Sequence, residues 1–216
     1  SLAGKLVGSL DGIEYHYEPP TLKAISSLYT CGQLDISTAK ILLTIYLSED
    51  LLLESVQGRN ANFRPTDYSM IFNTISWPDL VHRWQELSNR DDALEWIDNK
   101  QIRLAIKIPN LTDSLKLFNQ LISDFRTILV VRDGRDVVQS VLKKKWMTDN
   151  SLKREMYPYS SIQDGIPVPY WVSDSKREEW PHMTPHTRSC MMYNYYSKIG
   201  YDLHEKDSTI LSHVLR

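Results

Sequence analysis

The sequence contains few cysteine residues, and this limits what can hold the chain together. Only Cys31 and Cys190 occur among the 216 residues, too few for the disulfide framework of a small secreted domain. They also lack the paired spacing of a zinc site. We therefore predict that both are buried thiols in a core that forms without cross-links.

The sequence also lacks a long apolar run and a strong excess of either charge. Its longest apolar run, residues 41–47, is interrupted by Thr44 and is far shorter than the roughly 20 residues that cross a bilayer. The formal net charge is −2, which gives no general attraction to nucleic acid or to anionic lipid. We expect neither kind of partner, so any anion site has to be local.

No pattern typical of a metal site is visible in the sequence. His182 and His186 are four residues apart, as metal ligands on a helix can be, but Pro185 lies between them and no carboxylate accompanies them. We predict that the protein binds no metal.

The first residues lack an initiator methionine and the charged and then apolar layout of a signal peptide. We expect that residues preceding Ser1 are missing from this chain. We also expect a cytoplasmic location, with the Golgi lumen as the alternative if the protein is eukaryotic.

What the sequence does contain is the composition of a folded domain and an alternation of strands with helices. Hydrophobic residues make up 42% of the chain and charged residues 24%, close to globular averages. The patterns predict strands that end at Glu18 and that cover residues 102–108, 127–131 and 209–215. They predict helices over residues 36–56, 68–75, 112–121, 134–146 and 187–196, and another that starts at residue 77. This order indicates one α/β domain over residues 1–216, with three α/β/α layers and a central parallel sheet.

Three ionisable residues fall at the predicted carboxyl ends of strands, where parallel sheets bind ligands. They are Glu18, Lys107 and Arg132. Residues 127–131 form an unbroken aliphatic and β-branched run, which is typical of a strand buried on both faces. Each of the three charges could equally be an ordinary surface charge, and their convergence on one edge is the stronger argument for a site.

Residues 148–185 mix Pro, Gly, Asp, Ser and aromatic residues without periodicity, which indicates long loops rather than a linker. We interpret them as a loop-rich insertion on the acceptor side of the site. Aromatic residues here, Trp171 and Trp180 among them, could shape a pocket for sugar rings or could pack as core residues.

Residues 131–140, Val-Arg-Asp-Gly-Arg-Asp-Val-Val-Gln-Ser, resemble the nucleotide-binding segment of the sulfotransferase family that uses 3'-phosphoadenosine 5'-phosphosulfate. In that segment an Arg ends a buried strand and a Ser follows eight positions later, as Arg132 and Ser140 do here. The resemblance implies that both hold the 3'-phosphate of the donor. A guanidinium offers a planar charged fork and a hydroxyl adds a neutral donor. A helix-start ion pair beside an exposed Ser is the alternative.

Residues 15–19, Tyr-His-Tyr-Glu-Pro, are similar to a strand end in the carbohydrate-modifying and bacterial branches of that family. The resemblance implies that Glu18 is the general base that takes the proton of the acceptor hydroxyl. The alternative is a carboxylate that only caps the next helix. The cytosolic small-molecule branch uses a His within Lys-Thr-His, but the comparable residues 105–109 contain no His. Lys107 either reaches the leaving phosphate or is a solvated strand end.

The chief departure from the family is at the front of the chain. The family places a Gly-rich phosphate loop, approximately Gly-x-x-Arg-Ser-Gly-Thr-Thr, before its first helix, and Ser1 falls on the final hydroxyl position of that loop. The resemblance therefore implies a fragment, incomplete at both ends, of a P-loop nucleoside triphosphate hydrolase-like sulfotransferase fold. Without the loop, catalysis by the fragment is not expected.

The resemblance implies transfer of a sulfuryl group from the nucleotide donor to an acceptor hydroxyl of a carbohydrate or small molecule, without a metal. A P-loop kinase-like phosphotransferase and a non-catalytic nucleotide-binding module are the alternatives. Arg64 and Asp67 lie at a predicted helix entry and either orient the acceptor or form a cap.

Overall fold

The structure is a computed structural model that describes residues 2–67, 69–154, 159–206 and 213–215. It is of the mixed α/β class, 58% helical, with short strands. The chain divides into two compact units. The first unit comprises residues 1–25 and 36–109, and the second comprises residues 26–35 and 110–216. The prediction of one domain over the whole chain stays a prediction.

The first unit is built on a parallel pair of strands, β1 (Ile13–Tyr17) and β2 (Arg103–Lys107). They pair in register, with Ile13 opposite Arg103 and Tyr17 opposite Lys107. Helix α1 (Leu2–Gly8) precedes β1. The two strands and their parallel direction agree with the sequence prediction. The pairing therefore places both carboxyl ends, and the residues that follow them, at one edge.

A long helical stretch supplies much of the core of the first unit. Helix α3 (Ile36–Ile45) continues through a π-helical turn (Tyr46–Leu53) into α4 (Glu54–Val56), which confirms the helix predicted over residues 36–56. Two further helices follow, α5 (Trp77–Glu86) and α6 (Arg90–Lys100). Helix α5 begins with a capping box in which Ser76 and Asp79 bond each other's backbone N–H groups. One core cluster contains Leu53, Val56, Leu87 and Ala93.

Helix α2 (Pro20–Thr30) joins the two units along the chain. The second unit then contains a 3₁₀ turn (Thr112–Ser114), α7 (Leu115–Leu121), β3 (Ile128–Val130) and α8 (Gly134–Lys143). The remaining elements are α9 (Asp149–Arg154), β4 (Tyr159–Gln163), β5 (Ile166–Pro169), α10 (Pro185–Lys206) and β6 (His213–Leu215). Among the described residues, no helix has the length and apolar content needed to cross a bilayer.

The predicted central sheet is not formed within the described residues. The strands there make three separate pairs: β1 with β2 and β3 with β6, both parallel, and β4 with β5, antiparallel. Strand β3 has only three residues, and Ile128 and Val130 are 46% and 50% exposed. The prediction of a strand buried on both faces is therefore wrong, because a β-branched run reports strand propensity and does not specify what covers it.

The segment 148–185 is more ordered than its composition predicts. It contains α9, the β4–β5 hairpin and two 3₁₀ turns. The hairpin reverses at Asp164 and Gly165, both with positive φ, as a tight two-residue turn requires. Its core holds Val168, Val172 and Trp180, and the Trp180 indole N–H donates to the Pro167 carbonyl at 3.1 Å. For Trp180 the packing alternative is therefore the correct one.

The helix predicted over residues 68–75 is wrong in the part of it that the structure describes. Only one 3₁₀ turn (Ile71–Asn73) forms there, and Tyr68 lies outside the described residues. The carboxylate of Asp67 accepts a hydrogen bond from Asn62 at 3.0 Å, and the Asn62 side chain accepts one from the backbone N–H of Arg64. This segment is a side-chain-bonded turn, in which short polar residues compete with helix formation.

Candidate functional site

The carboxyl ends of β1 and β2 bring together two of the residues that the sequence singles out. Because Tyr17 lies opposite Lys107, Glu18 leaves β1 beside the last residue of β2. Its backbone N–H donates to the Lys107 carbonyl at 2.7 Å. The Lys107 ammonium donates to the Glu18 carboxylate, forming an ion pair in which both side chains are about one third exposed. Within the described residues the contact of the Glu18 carboxylate is with Lys107, which does not support the helix-cap alternative.

The backbone of Glu18 is in the left-handed region, with φ of 52°. This conformation is uncommon for a residue with a side chain and costs on the order of 1–3 kcal/mol. It turns the chain sharply after β1, before Pro19 and the start of α2 at Pro20. The turn leaves the carboxylate at the edge of the strand pair.

Aromatic rings line the same edge. The Lys107 ammonium lies 4.7 Å from the centre of the Tyr17 ring, a cation–π contact. Burial, together with the nearby Tyr17 and Glu18, raises the pKa of Tyr15 to about 12. The site thus combines a carboxylate, an ammonium and two tyrosine rings.

The polar residues earlier in β1 fix the strand that presents Glu18. Glu14 is buried and accepts from Arg83 at 2.7 Å and from the Ser55 hydroxyl at 2.8 Å. The His16 Nε2 atom donates to the Leu51 carbonyl at 2.9 Å, and burial lowers the pKa of His16. Removing one partner from a buried ion pair is strongly destabilising. These contacts therefore hold β1 against the helical stretch of the first unit.

In the second unit, Arg132 follows β3 and precedes α8. Its side chain is exposed, and its guanidinium makes no hydrogen bond or ion pair within the part of the chain that the structure describes. Its carbonyl accepts from the Tyr193 hydroxyl at 3.2 Å. The next residue, Asp133, caps α8 by accepting from the Arg135 N–H at 2.8 Å. Arg135 and Asp133 form the ion pair at the helix start, with 2.6 Å between the guanidinium and the carboxylate. The hydrogen bonds from Arg135 lower the pKa of Asp133 to about 2.

Ser140 is half-buried on α8. With a rise of 1.5 Å per residue it lies about 9 Å along the axis from Gly134. Its hydroxyl has no hydrogen-bond partner among the residues that the structure describes. A ligand bound by both Arg132 and Ser140 would therefore have to lie along the first two turns of α8.

Of the five predicted site residues, the structure joins one pair. Glu18 and Lys107 are in contact in the first unit, while Arg132 and Ser140 belong to the second. Ser1 lies outside the described residues. The predicted shared edge of Glu18, Lys107 and Arg132 stays a prediction.

Sequence reasoning missed a carboxylate–phenol cluster in the second unit. Asp113 accepts from the Tyr170 hydroxyl at 2.6 Å, from Tyr195 at 3.4 Å and from the Ser114 hydroxyl at 3.2 Å. The Tyr170 and Tyr196 hydroxyls are 3.3 Å apart. Burial raises the pKa of Asp113 despite these hydrogen bonds, and burial also raises the pKa of Tyr170. The sequence shows part of this cluster, because tyrosines are concentrated in one turn of α10, but it does not show that Asp113 and Tyr170 join them.

Arg188 is the second residue that sequence reasoning missed. It is 1% exposed and bonds the carbonyls of Met147, Trp180 and Pro181 and the carboxylate of Asp149 at 2.6–3.2 Å. It thereby ties α10 to the segment 148–185. No local pattern could have marked it, because its partners lie up to 41 residues away in the sequence.

The two Cys residues are free thiols and only partly buried, so the prediction of buried thiols is wrong for both. The Cys190 sulfur lies 3.9 Å from Nδ1 of His186, one helical turn away.

No protein-family model, curated protein or solved structure matches this chain.

Proposed function

We propose that this protein transfers a sulfuryl group from 3'-phosphoadenosine 5'-phosphosulfate to an acceptor hydroxyl, with Glu18 as the general base. The observation that carries the proposal is the in-register parallel pairing of β1 and β2, which puts Glu18 and Lys107 side by side at the carboxyl ends of the strands. Ligands of parallel sheets bind at this edge. The resemblance of residues 15–19 and 131–140 to the sulfotransferase family supplies the reaction class.

The reaction needs a base, because an acceptor hydroxyl is a poor nucleophile until its proton is removed. The acceptor oxygen attacks the sulfur atom of the donor while Glu18 takes the hydroxyl proton. The bond from sulfur to the bridging phosphate oxygen breaks, and its electron pair leaves with adenosine 3',5'-bisphosphate. A positioned general base contributes about 10² to 10⁴ in rate.

The ion pair between Glu18 and Lys107 gives the lysine a role in the same step. When the donor is bound, its leaving phosphate competes with Glu18 for the Lys107 ammonium. Moving the ammonium to the phosphate stabilises the charge that develops there and frees the carboxylate to accept a proton. Binding of the donor would thus move Lys107 from Glu18 to the phosphate and leave the Glu18 carboxylate free to act as the base.

The donor's 3'-phosphate is assigned to Arg132 and Ser140. The guanidinium of Arg132 is exposed and not engaged within the described residues, and the hydroxyl of Ser140 is equally unengaged. Both are thus available to a ligand, as bidentate recognition of phosphate requires. The proposal includes the finer fold, a three-layer sulfotransferase domain of the P-loop class, with Ser1 at the end of its phosphate loop.

The test is a Glu18→Gln substitution in the complete protein. Gln keeps the size of the side chain and removes its ability to take a proton, so sulfuryl transfer to a panel of oligosaccharides and small phenols should fall by about 10² or more. Binding of adenosine 3',5'-bisphosphate, measured by calorimetry, should be retained or become tighter, because Glu18 no longer competes for the Lys107 ammonium. Glu86→Gln, at an exposed position on α5, is the matched control. Full turnover by Glu18→Gln would remove Glu18 from the mechanism, and the absence of nucleotide binding by the unsubstituted protein would refute the function.

A further inference from the structure

Four aromatic side chains of the first unit form an exposed row on its surface, which we call the aromatic row. They are Phe63, Phe72, Trp77 and Trp84, and each is 38% to 56% exposed. Neighbouring ring centres in the row lie 5.8, 6.0 and 5.7 Å apart. Single exposed apolar residues are common on protein surfaces and need no explanation, but a contiguous set of this kind marks a binding surface.

A backbone hydrogen bond positions the two phenylalanines of the row. Phe63 lies in the loop that follows α4, and Phe72 lies in the 3₁₀ turn (Ile71–Asn73). The Ile71 N–H donates to the Asn62 carbonyl at 2.8 Å, between the residues that precede the two phenylalanines. This bond closes the loop, and the two rings meet edge to face at an angle of 62°.

Helix α5 holds the other half of the row. Trp77 is its first residue, directly after the N-cap Ser76, and Trp84 follows two turns later. The Trp84 indole N–H donates to the Gly58 carbonyl at 3.2 Å. A Cβ atom on Gly58 would lie 2.5 Å from the Trp84 ring nitrogen, so a side chain there would displace the ring. The rings are therefore positioned before a ligand arrives, which lowers the entropic cost of binding.

The size of the row limits what it can bind. An aromatic side chain can bury roughly 150–250 Å², so the exposed fractions of the four rings amount to roughly 270–450 Å². This area is well below the roughly 800 Å² that each partner buries in a stable protein interface. It is comparable with the roughly 300–600 Å² of the largest patch on a typical monomer. The row therefore fits a narrow ligand that covers the rings better than it fits the broad face of a second copy.

The charged residues next to the row in the chain do not favour an anionic partner. Residues 62–79, which contain three of the four rings, have one cation, Arg64, and two carboxylates, Asp67 and Asp79. Nucleic acids and acidic polysaccharides require an excess of positive charge. The side chains of Arg64 and Asp67 can instead donate to and accept from hydroxyl groups. The row therefore fits a neutral partner that is rich in hydroxyl groups.

We infer that the aromatic row binds a neutral oligosaccharide of β-linked pyranose units. In such a unit the hydroxyl groups lie around the edge of the ring and the faces present C–H groups, which pack against aromatic side chains. Sugar units repeat along the ligand as the rings repeat along the row, so several units make contact at once and their contributions combine. The binding requires neither the nucleotide donor nor Glu18, and it does not depend on the proposed sulfuryl transfer.

The test is calorimetric titration of the full chain with cellohexaose and with cellobiose. A ligand of this size on an open surface should bind weakly, and we expect a Kd for cellohexaose on the order of 0.1–1 mM. Cellobiose, which covers only part of the row, should bind at least about 10-fold more weakly. Equal affinities would refute an extended site. The lack of saturable cellohexaose binding below about 10 mM would refute the proposal.

Substitutions locate the binding on the row. Trp77→Leu keeps an apolar side chain and removes the aromatic ring, so it should weaken cellohexaose binding about 10-fold. Trp77→Phe keeps a ring and should retain most of the affinity. Trp146→Leu, at an exposed tryptophan of the second unit, is the matched control and should bind normally. Equal binding by Trp77→Leu and Trp146→Leu, with both folded by circular dichroism, would refute the assignment.

Two further measurements test the competing occupants of the row. Because the row is too small for a stable dimer, sedimentation velocity should give the same oligomeric state for the unsubstituted chain and Trp77→Leu. A dimer that Trp77→Leu dissociates would show that a second copy covers the row, and it would refute the proposal. Tighter binding of single-stranded oligothymidylate than of cellohexaose would refute it as well, because the partner would then be a nucleic acid.

Discussion

At the scale of single residues, Arg132 is the one whose role is most open to a direct test. Its guanidinium is exposed, and no described residue neutralises it. Arg132→Met should weaken adenosine 3',5'-bisphosphate by at least about 10-fold, because a charge-assisted hydrogen bond is worth about 1.5–3 kcal/mol. It should leave the affinity for adenosine 5'-monophosphate nearly unchanged, since that nucleotide has no 3'-phosphate. Calorimetry with both ligands measures the difference.

The control for this prediction is Arg154→Met, at another exposed arginine of the second unit. It should retain the preference for the 3'-phosphate. If Arg132→Met weakened the affinity for both nucleotides equally, Arg132 would act through the fold or through the overall electrostatic potential. The assigned contact between Arg132 and the 3'-phosphate would then be wrong.

His16 gives a pH dependence of stability with a defined sign. Burial lowers the pKa of His16 below its usual value of about 6.5. The unfolded chain therefore binds a proton before the folded chain does. The stability that the folded protein gains from neutral His16 is fully present above about pH 6.5. It is lost as the pH falls toward the pKa of His16 in the folded protein, and the free energy of unfolding then decreases by at most about 1.4 kcal/mol per pH unit.

The measurement is the free energy of unfolding in urea between pH 7.5 and 5.5. His16→Gln can still donate to the Leu51 carbonyl and cannot titrate, so its stability should fall less with acidification than that of the unsubstituted chain. His204→Gln, an exposed histidine near the end of α10, should show the unsubstituted slope. Parallel slopes for the unsubstituted chain and His16→Gln would contradict the prediction.

At the scale of elements, α8 and α10 meet through a glycine. A Cβ atom on Gly134 would lie 2.6 Å from Cε1 of Tyr193, closer than real contacts allow. Gly134→Ala should therefore destabilise the protein by about 1–3 kcal/mol, the range for overpacking. Chemical unfolding measures this change.

The companion substitutions complete a double-mutant cycle. With Tyr193→Ala in place, Gly134→Ala should cost much less, because the ring that it strikes is gone. Tyr193→Phe, which removes the hydrogen bond to the Arg132 carbonyl and keeps the ring, should retain most of the cost of Gly134→Ala. Additive effects of Gly134→Ala and Tyr193→Ala would show that the clash is not the cause.

The elements also show how far the sequence could predict this structure. Alternation at Ile13, Tyr15 and Tyr17 and the proline after residue 108 located β1 and β2, and their parallel pairing followed from the βα order. The Glu18–Lys107 contact was predicted only in part. The hydrophobic pattern predicts that both residues lie at the same edge of the sheet, but it does not predict which residues there form an ion pair. An ion pair between neighbouring strands depends on their register, and a short stretch of sequence around one strand does not specify that register.

Three other features were not predicted, each for a different physical reason. The β4–β5 hairpin could have been found, because Asp164-Gly165 is a strong hairpin signal. It was obscured by the polar residues of β4. Arg188 could not have been found, because its burial depends on carbonyls that distant segments deliver. The exposure of Ile128 and Val130 is the third case. The high strand propensity of these residues was taken as evidence that the strand is buried.

At the scale of the whole molecule, charge and exposed apolar surface act together. The isoelectric point is about 6.3, and β3 exposes Ile128 and Val130. Near pH 6.3 the chain lacks the net charge that keeps molecules apart, so light scattering between pH 5 and 8 should be greatest there. Exposed strand residues favour association between chains.

Val130→Lys tests this second part. It should lower scattering more than Leu94→Lys, which makes the same change of charge at an exposed position on α6. Equal effects would show that net charge alone controls association and that β3 takes no part in it.

The parallel pairing of β1 with β2 has a consequence for synthesis. Strand β1 cannot pair until β2 has been synthesised, because the register partners Tyr17 and Lys107 are 90 residues apart in the sequence. At about 5–20 residues per second, a ribosome needs roughly 5 to 18 s to add them. During that interval β1 lacks its partner strand, and Glu18 lacks its ion pair with Lys107. The ion pair at the candidate site therefore forms only after Lys107 has been synthesised.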